Sequence, residues 1–281
     1  MQLGQAQARA LVEVLSDHYG DAGIAAFEDA QGRWQFELHA AGPLDRKKLT
    51  ALVADAAGAR AARALTFTTV AAKDWVTASL ADLTPVAAGR FLIHGSHDRA
   101  RAKAARVPIE IEAALAFGTG HHGTTRGCLA ALDALLRRSR PRRILDVGTG
   151  TGVLAIAAAK ALRARVTASD IDRVAVDVAR TNARINRAPA ITFVHAAGLS
   201  ARALRVGAPY DLVLANILLP PLKRLAAPMA RLLAPNARVI LSGLLPEHVN
   251  AARAAYAAQG LALEQRIILD GWATLVFRRG R

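Results

Sequence analysis

Ile144-Leu145-Asp146-Val147-Gly148-Thr149-Gly150-Thr151-Gly152-Val153-Leu154 reads as an apolar strand, a glycine-rich turn and the start of a helix. Glycine serves such a turn where φ is positive or where the backbone must pass close to a ligand, and the helix start offers free N–H groups. The next apolar stretch ends in Asp170, twenty-two residues after Gly148. A carboxylate there, at the tip of a second strand, can accept both hydroxyls of a ribose. The combination is that of a nucleotide-type cofactor site, and by itself the turn does not say which cofactor.

Beyond this stretch, the chain alternates helix and strand. The patterns place helices at 126–138, 152–162, 173–186, 220–233 and 246–259, with strands at 142–147, 164–169, 190–195, 210–215 and 237–242. Such alternation requires a mainly parallel sheet covered by helices on both faces, with ligands at the carboxyl ends of the strands. Two strands near 261–269 and 272–278 have no helix between them and imply an antiparallel hairpin at the sheet edge. That ending favours a methyltransferase over a nicotinamide dehydrogenase, which would also need a hydride-transfer site that the sequence does not offer.

The N-terminal part has a different rhythm. A helix over Ala6–Tyr19, a strand-turn-strand around Ala25–Leu38, a helix over Leu44–Ala57 and a strand near Ala64–Val70 suggest a small ferredoxin-like α+β module. The expected division is therefore a module at 1–70, a linker helix at 71–89 and a second domain at 90–281, which adds short strands at Phe91–His94 and Ile109–Ile111. The module carries no catalytic constellation, which suits positioning of a macromolecular substrate.

Composition narrows the classes. A chain of 281 residues with 53% apolar content can bury a sizeable core. There is no window of eighteen uninterrupted apolar residues and no secretory-type leader, so a cytoplasmic location is expected. Cys128 is the one cysteine, which excludes an intrachain disulfide and a thiolate metal cluster; on an apolar helical stretch it reads as buried filler. His94, His97 and the basic stretch Arg99–Arg106 have no third ligand at metal-site spacing and read as a polar loop. A formal charge of +15 would suit contact with RNA, but the arginine-rich usage runs through the whole chain, and aromatics are only 5%.

Two further elements converge on the glycine turn. Ala116-Phe117-Gly118-Thr119-Gly120-His121-His122-Gly123-Thr124-Thr125 is a second glycine-rich loop, and its threonines can cap the following helix while offering hydroxyls to a ligand. Ala215-Asn216-Ile217-Leu218 ends a strand before a Pro-initiated helix, where an amide side chain can hold a nucleophile in line with a cofactor. Ser242-Gly243, expected just after the fifth strand, would lie beside the same pocket.

Together, AFGTGHHGTT, DVGTGTG, Asp170-Ile171-Asp172 and Ala215-Asn216-Ile217-Leu218 resemble the ribosomal protein L11 methyltransferase family (PrmA-type), from about Asp74 to Arg281. The resemblance implies a class I, Rossmann-like α/β methyltransferase domain with S-adenosylmethionine as cofactor. It assigns cofactor contacts to Thr125, Gly148, Asp170 and Asn216, with Gly150 and Phe117 on the pocket wall and Asn216 as the positioning residue for catalysis. Asp172 is expected to cap the next helix rather than hold the ribose. The chain departs from the family at Gly123, where a proline is usual, and its N-terminal module matches only in element order.

The implied partner is ribosomal protein L11, methylated on lysine side chains with its N-terminal α-amine as a further acceptor. A lysine on another protein, such as an electron-transfer flavoprotein subunit, or an RNA base would use the same chemistry. A non-catalytic ribosome-associated protein would retain the fold without needing the cofactor residues. No dedicated base stands in the motifs, so orientation and desolvation are the expected sources of catalysis.

Overall fold

The computed structural model describes residues 7, 11, 14, 15, 18, 23–28, 34–39, 44–67, 85–102, 105–111, 123–162, 164–188 and 191–280. Contacts divide the chain into two compact units, Met1–Ala71 and Ala72–Arg281.

In the first unit, residues 7, 11, 14, 15 and 18 are helical, and β1 (Gly23–Glu28) pairs antiparallel with β2 (Trp34–His39). Helix α1 (Arg46–Ala57) starts at Asp45, whose side chain accepts from the N–H groups of Lys47 and Lys48 at 3.0 and 3.1 Å. Such a cap satisfies donors that the first turn leaves unpaired. A short helix α2 (Ala59–Arg63) follows, and Leu11, Leu15, Leu49, Val53 and Ala61 form the core of this unit. The strand expected from Ala64 is absent over 64–67, which are turn and coil. The alanine-rich run before it favours helix, and its last carbonyls, of Ala61 and Ala62, take the N–H groups of Ala64 and Leu65. Residues 68–70 lie outside the described residues.

The second unit contains a small three-stranded sheet and a large seven-stranded one. In the small sheet β3 (Val86–Ala88) pairs antiparallel with β4 (Phe91–His94), which pairs parallel with β5 (Val107–Glu110). The linker helix expected over 71–89 falls largely outside the described residues, and its last residues, 86–88, are strand because they pair with β4. Helix α3 (Arg99–Ala102) opens the basic stretch. Arg99 donates to Glu110 at 2.6 Å and Arg101 to Asp98 at 3.3 Å, so this stretch spends charge on internal pairs.

The strands of the large sheet are β6 (Arg143–Val147), β7 (Arg165–Asp170), β8 (Ile191–His195), β9 (Tyr210–Asn216), β10 (Leu233–Leu244), β11 (Leu261–Leu269) and β12 (Trp272–Arg279). They lie in the order β11-β12-β10-β9-β6-β7-β8. The pairs β6–β7, β7–β8, β6–β9 and β9–β10 are parallel, and β12 lies antiparallel between β10 and β11. The helices are α4 (Gly123–Leu136), α5 (Val153–Leu162), α6 (Arg173–Ile185), α7 (Arg202–Gly207), α8 (Leu219–Arg231) and α9 (Val249–Ala257).

Side-chain alternation explains why helices cover both faces. Ile144, Leu212, Leu214 and Ile240 enter one core, whereas Leu145, Val147, Val213, Ala215, Val239 and Leu241 enter the other. Strands buried on both faces read as continuous apolar runs. On α6 the buried positions Ala175, Val176, Ala179, Asn182 and Ala183 keep helical spacing, with Arg180 and Arg184 exposed. The chain leaves β6 toward β7 on one side and reaches β9 on the other, so a crevice opens at the carboxyl ends of these strands.

In the second core, Phe277 of β12 is fully buried and stacks on Tyr256 of α9 at 5.2 Å between ring centroids. Phe277→Ala is expected to lower the unfolding free energy by about 3–5 kcal/mol, the usual range for emptying an aromatic site. Urea unfolding followed by circular dichroism would measure it, and a loss under about 1 kcal/mol would mean that the hairpin is not integral to this core.

Candidate functional site

The glycine turn is built by one buried aspartate. Asp146, at 1% exposure, accepts through Oδ2 from the Thr149 hydroxyl at 2.7 Å and from the Ala155 N–H at 3.1 Å, and so joins β6, the turn and α5. Gly148 and Thr149 donate their N–H groups to the Ser169 carbonyl at 2.8 and 3.0 Å, which ties the turn to β7. From the other side, Asn182 of α6 donates to the Thr151 carbonyl at 2.9 Å.

Asp170 ends β7 as expected and lies beside this turn. Its Oδ2 accepts the Gly150 N–H at 2.9 Å and its Oδ1 the Asp172 N–H at 3.0 Å. Each oxygen keeps a further lone pair for a hydroxyl donor. Asp172 is the N-cap of α6, accepting from the Val174 N–H at 2.8 Å, which is the role the sequence suggested for it.

Asn216, at the end of β9, reaches across to α4. Its Nδ2 stands 3.4 Å from both the Thr124 and Thr125 hydroxyls. Helix α4 already includes Gly123, so the two threonines occupy its first turn rather than preceding it. Thr125 is fully buried, and Asn216 is half-buried.

The tips of β6, β9 and β10 crowd together at Ile217. Gly148 has φ +68°, and a Cβ there would come within 2.3 Å of Ile217 Cγ2; Gly243 has φ +80°, and a Cβ would lie 2.4 Å from the Ile217 carbonyl oxygen. Glycine is required at both positions by conformation and by space. Ser242 falls inside β10 rather than after it, because β10 extends to Leu244 through an irregularity in its pairing with β12. It stands opposite Asn216 in the register, and its hydroxyl is buried against the Ala273 carbonyl at 3.2 Å and Thr274 Oγ1 at 2.9 Å. Its hydroxyl therefore supports the wall.

Five of the expected site residues, Thr125, Gly148, Gly150, Asp170 and Asn216, thus converge on one crevice; Phe117 and the histidines His121 and His122 lie outside the described residues. Asp146 was not singled out from the sequence, although an acid inside an otherwise apolar strand immediately before a glycine turn is a readable signal. Burial pushes its carboxyl up to about 7, against the Thr149 and Ala155 hydrogen bonds, with the Asp170 charge adding to the rise. Its Oδ1 is the one buried side-chain polar atom without a partner among the described residues. Cys128 is fully buried in the core and its thiol is pushed far up by burial, which agrees with its reading as filler. Among the described residues no group of His, Cys, Asp and Glu could hold a metal ion, and no helix is long and apolar enough to cross a membrane.

The family model for ribosomal protein L11 methyltransferase (PrmA) matches residues 12–280. The chain belongs to this family. A ribosomal protein L11 methyltransferase of Rhodopseudomonas palustris is 53% identical over 278 residues, 98% of this chain and 94% of that protein. Another, of Bradyrhizobium diazoefficiens, is 54% identical over 278 residues, with the same shares. Among solved structures, a ribosomal protein L11 methylase of Lactobacillus delbrueckii subsp. bulgaricus superposes with a TM-score of 0.64 at 24% identity, covering 71% of this chain and all of that one. That superposition supports the fold, a class I methyltransferase architecture.

The site residues fit the methyl donor of such an enzyme. A glycine cradle that a side chain would fill, a strand-end carboxylate with two spare lone pairs and a buried carboxyl oxygen without a partner suit a ligand with a ribose and a cationic end. Asp146 also makes the ligand-free protein sensitive to pH. A carboxyl raised above its ordinary value of 3.8 stabilises the fold fully below about 4, and that contribution is lost as pH rises through about 7. The thermal midpoint of the wild type should therefore fall across this window, while Asp146→Asn, which cannot ionise, should show a flatter profile; parallel profiles would contradict the assignment.

Proposed function

We propose that this protein transfers methyl groups from S-adenosylmethionine to lysine Nζ atoms of ribosomal protein L11, with the N-terminal α-amine as a further acceptor. The observation that carries the reading is the meeting of Asp170, the Gly148–Gly150 turn and the Asn216–Thr125 contact at one end of the sheet. Family membership supports the methyl transfer and the ribosomal substrate.

When bound, the cofactor supplies a methyl group already activated on a sulfonium. The protein then has to bind, orient and dry the reacting groups. Asp170 accepts the ribose hydroxyls, and its hydrogen bond from Gly150 fixes the carboxylate against the turn. Asn216 presents an amide beside the crevice, with its Nδ2 held toward the two threonines so that its Oδ1 can accept from an amine. A free lysine has a pKa of about 10.4, so the acceptor must lose a proton before attack. Withdrawal from water favours the neutral amine. The N-terminal unit, which has its own small core, is the substrate-recognition module in this reading.

Two variants separate binding from transfer. Asp170→Ala should weaken S-adenosylmethionine binding about tenfold or more, read by calorimetry, since charge-assisted hydrogen bonds are worth about 1.5–3 kcal/mol each. Asn216→Ala should lower kcat by up to about 100-fold with a smaller effect on cofactor affinity, as misplacement of reacting groups does. Purified ribosomal protein L11 incubated with labelled cofactor and mapped by peptide mass spectrometry should gain methyl groups on lysines. Label on RNA or another protein, with L11 unmodified, would overturn the substrate; an Asn216→Ala enzyme with full activity would overturn the positioning role.

A further inference from the structure

The densest run of charge in the chain lies away from the glycine turns. It is Arg137-Arg138-Ser139-Arg140-Pro141-Arg142-Arg143, five guanidinium groups in seven residues with no acid among them. The run joins the end of α4 to the start of β6, so it sits at the amino ends of the parallel strands, the edge of the sheet opposite Asp170 and Asn216.

Arg137 is paired with Asp133 at 3.0 Å. Arg138, Arg140, Arg142 and Arg143 are exposed, and their guanidinium groups have no hydrogen-bond or ion-pair partner among the described residues. The acid beside them, Asp211, spends its Oδ2 on the backbone N–H groups of Arg142 and Arg143, at 2.8 and 2.9 Å. That arrangement fixes the backbone of the run and leaves the side chains to solvent. The register Arg143↔Arg165 adds an exposed arginine from the next strand. A cavity of about 320 Å³ opens beside the run, lined in part by Ser139, Arg140, Arg142, Asp211, Asn236 and Arg238.

Helix polarity does not account for this cluster. A cation is favoured in the last turn of a helix, but α4 ends at Leu136 with no basic residue in its last turn, and the run begins just beyond it. Arg140, Arg142, Arg143 and Arg165 stand in a connection and at strand starts. Guanidinium forks match phosphate oxygens in a bidentate way that lysine cannot reproduce.

The surface also discriminates between partners. Among the described residues the exposed large apolar ones are Ile171, Val174, Ile185, Val206, Leu218 and Ile268, and none of these belongs to the run or lines the cavity. A protein interface has an apolar centre depleted of charge, and a membrane-binding surface needs apolar side chains to insert. Interfaces with nucleic acid are polar and strongly positive. With no aromatic side chain lining the cavity, contact would be made to phosphates rather than stacked bases.

We infer that Arg138, Arg140, Arg142, Arg143 and Arg165 form a docking surface for the phosphodiester backbone of a nucleic acid, separate from the methyl-transfer site. Binding there is insensitive to base sequence and steeply dependent on salt.

The test compares the full-length protein with a variant carrying Arg138→Gln, Arg140→Gln, Arg142→Gln and Arg143→Gln. Fluorescence anisotropy with labelled RNA and DNA duplexes of equal length, over a series of KCl concentrations, gives the slope of log affinity against log salt. The wild type should bind with a slope that the variant reduces by about 3–4, near one unit for each phosphate that the protein no longer neutralises. Methyl transfer and thermal midpoint should not change. The RNA and DNA arms distinguish the source of the phosphates. A double variant, Arg140→Gln with Arg165→Gln, should reduce the slope by about 2 and serves if the quadruple variant fails to fold. Equal slopes for wild type and either folded variant would overturn the inference. So would binding to polyglutamate or to anionic vesicles as tight as binding to nucleic acid, since each would assign the surface to another partner.

Discussion

Asp146 accepts a hydroxyl from the turn and an N–H from the helix behind it while remaining inside the sheet, and the path of residues 146–155 follows from those two hydrogen bonds. Once that path is set, Gly148 can approach Ile217, Gly150 can donate to Asp170, and the tips of three strands close on one crevice. The arrangement costs burial of a carboxyl group, which burial drives toward its neutral form. A hydrophobic residue in its place would leave the Thr149 hydroxyl and the Ala155 N–H without their acceptor.

The alternation of β-strands and helices from Gly123 onward was legible in the sequence because its strands are buried on both faces and its helices keep a clear apolar period. Ends were less legible. β10 runs from Leu233 to Leu244 because pairing with β9 and β12 carries it past both expected limits, and that pairing leaves no local mark. The short elements β3 and α7 were missed for a related reason, since three and six residues cannot display a period. The expected strand at Ala64 yielded to helix propensity and a tight turn.

Within the candidate site, Asp170, Gly148, Asn216 and Thr125 could be put forward in advance because the motifs that hold them resemble those of a known family, with Gly150 added on the pocket wall, and each stands at or beside a boundary between elements. Their mutual arrangement could not. The contact between Asn216 and Thr125 spans 91 residues, and only the packing of α4 against the sheet brings it about. Asp146 was legible as an acid inside an otherwise apolar strand just before the glycine turn, and the hydrogen bonds to Thr149 and Ala155 give that signal its meaning.

The antiparallel hairpin has a bearing on how the protein is made. β12 does not lie at the edge of the sheet; it is inserted between β10 and β11, and the hairpin backbone at Leu269 abuts Gly123, where a Cβ would come within 2.4 Å. Gly127, one turn further along α4, abuts Thr274 in the same way. The segment that carries Thr124 and Thr125 is thus seated against residues translated some 140 positions later, as the Arg126–Asp270 ion pair, 144 residues apart, also records. While the chain emerges from the ribosome, the glycine turn and Asp170 can assemble early from neighbouring elements, whereas the packing of the wall bearing Thr125 is completed only by the last hairpin. A nascent chain would have the elements of the glycine turn and Asp170 well before the threonine wall beside Asn216 was fully seated.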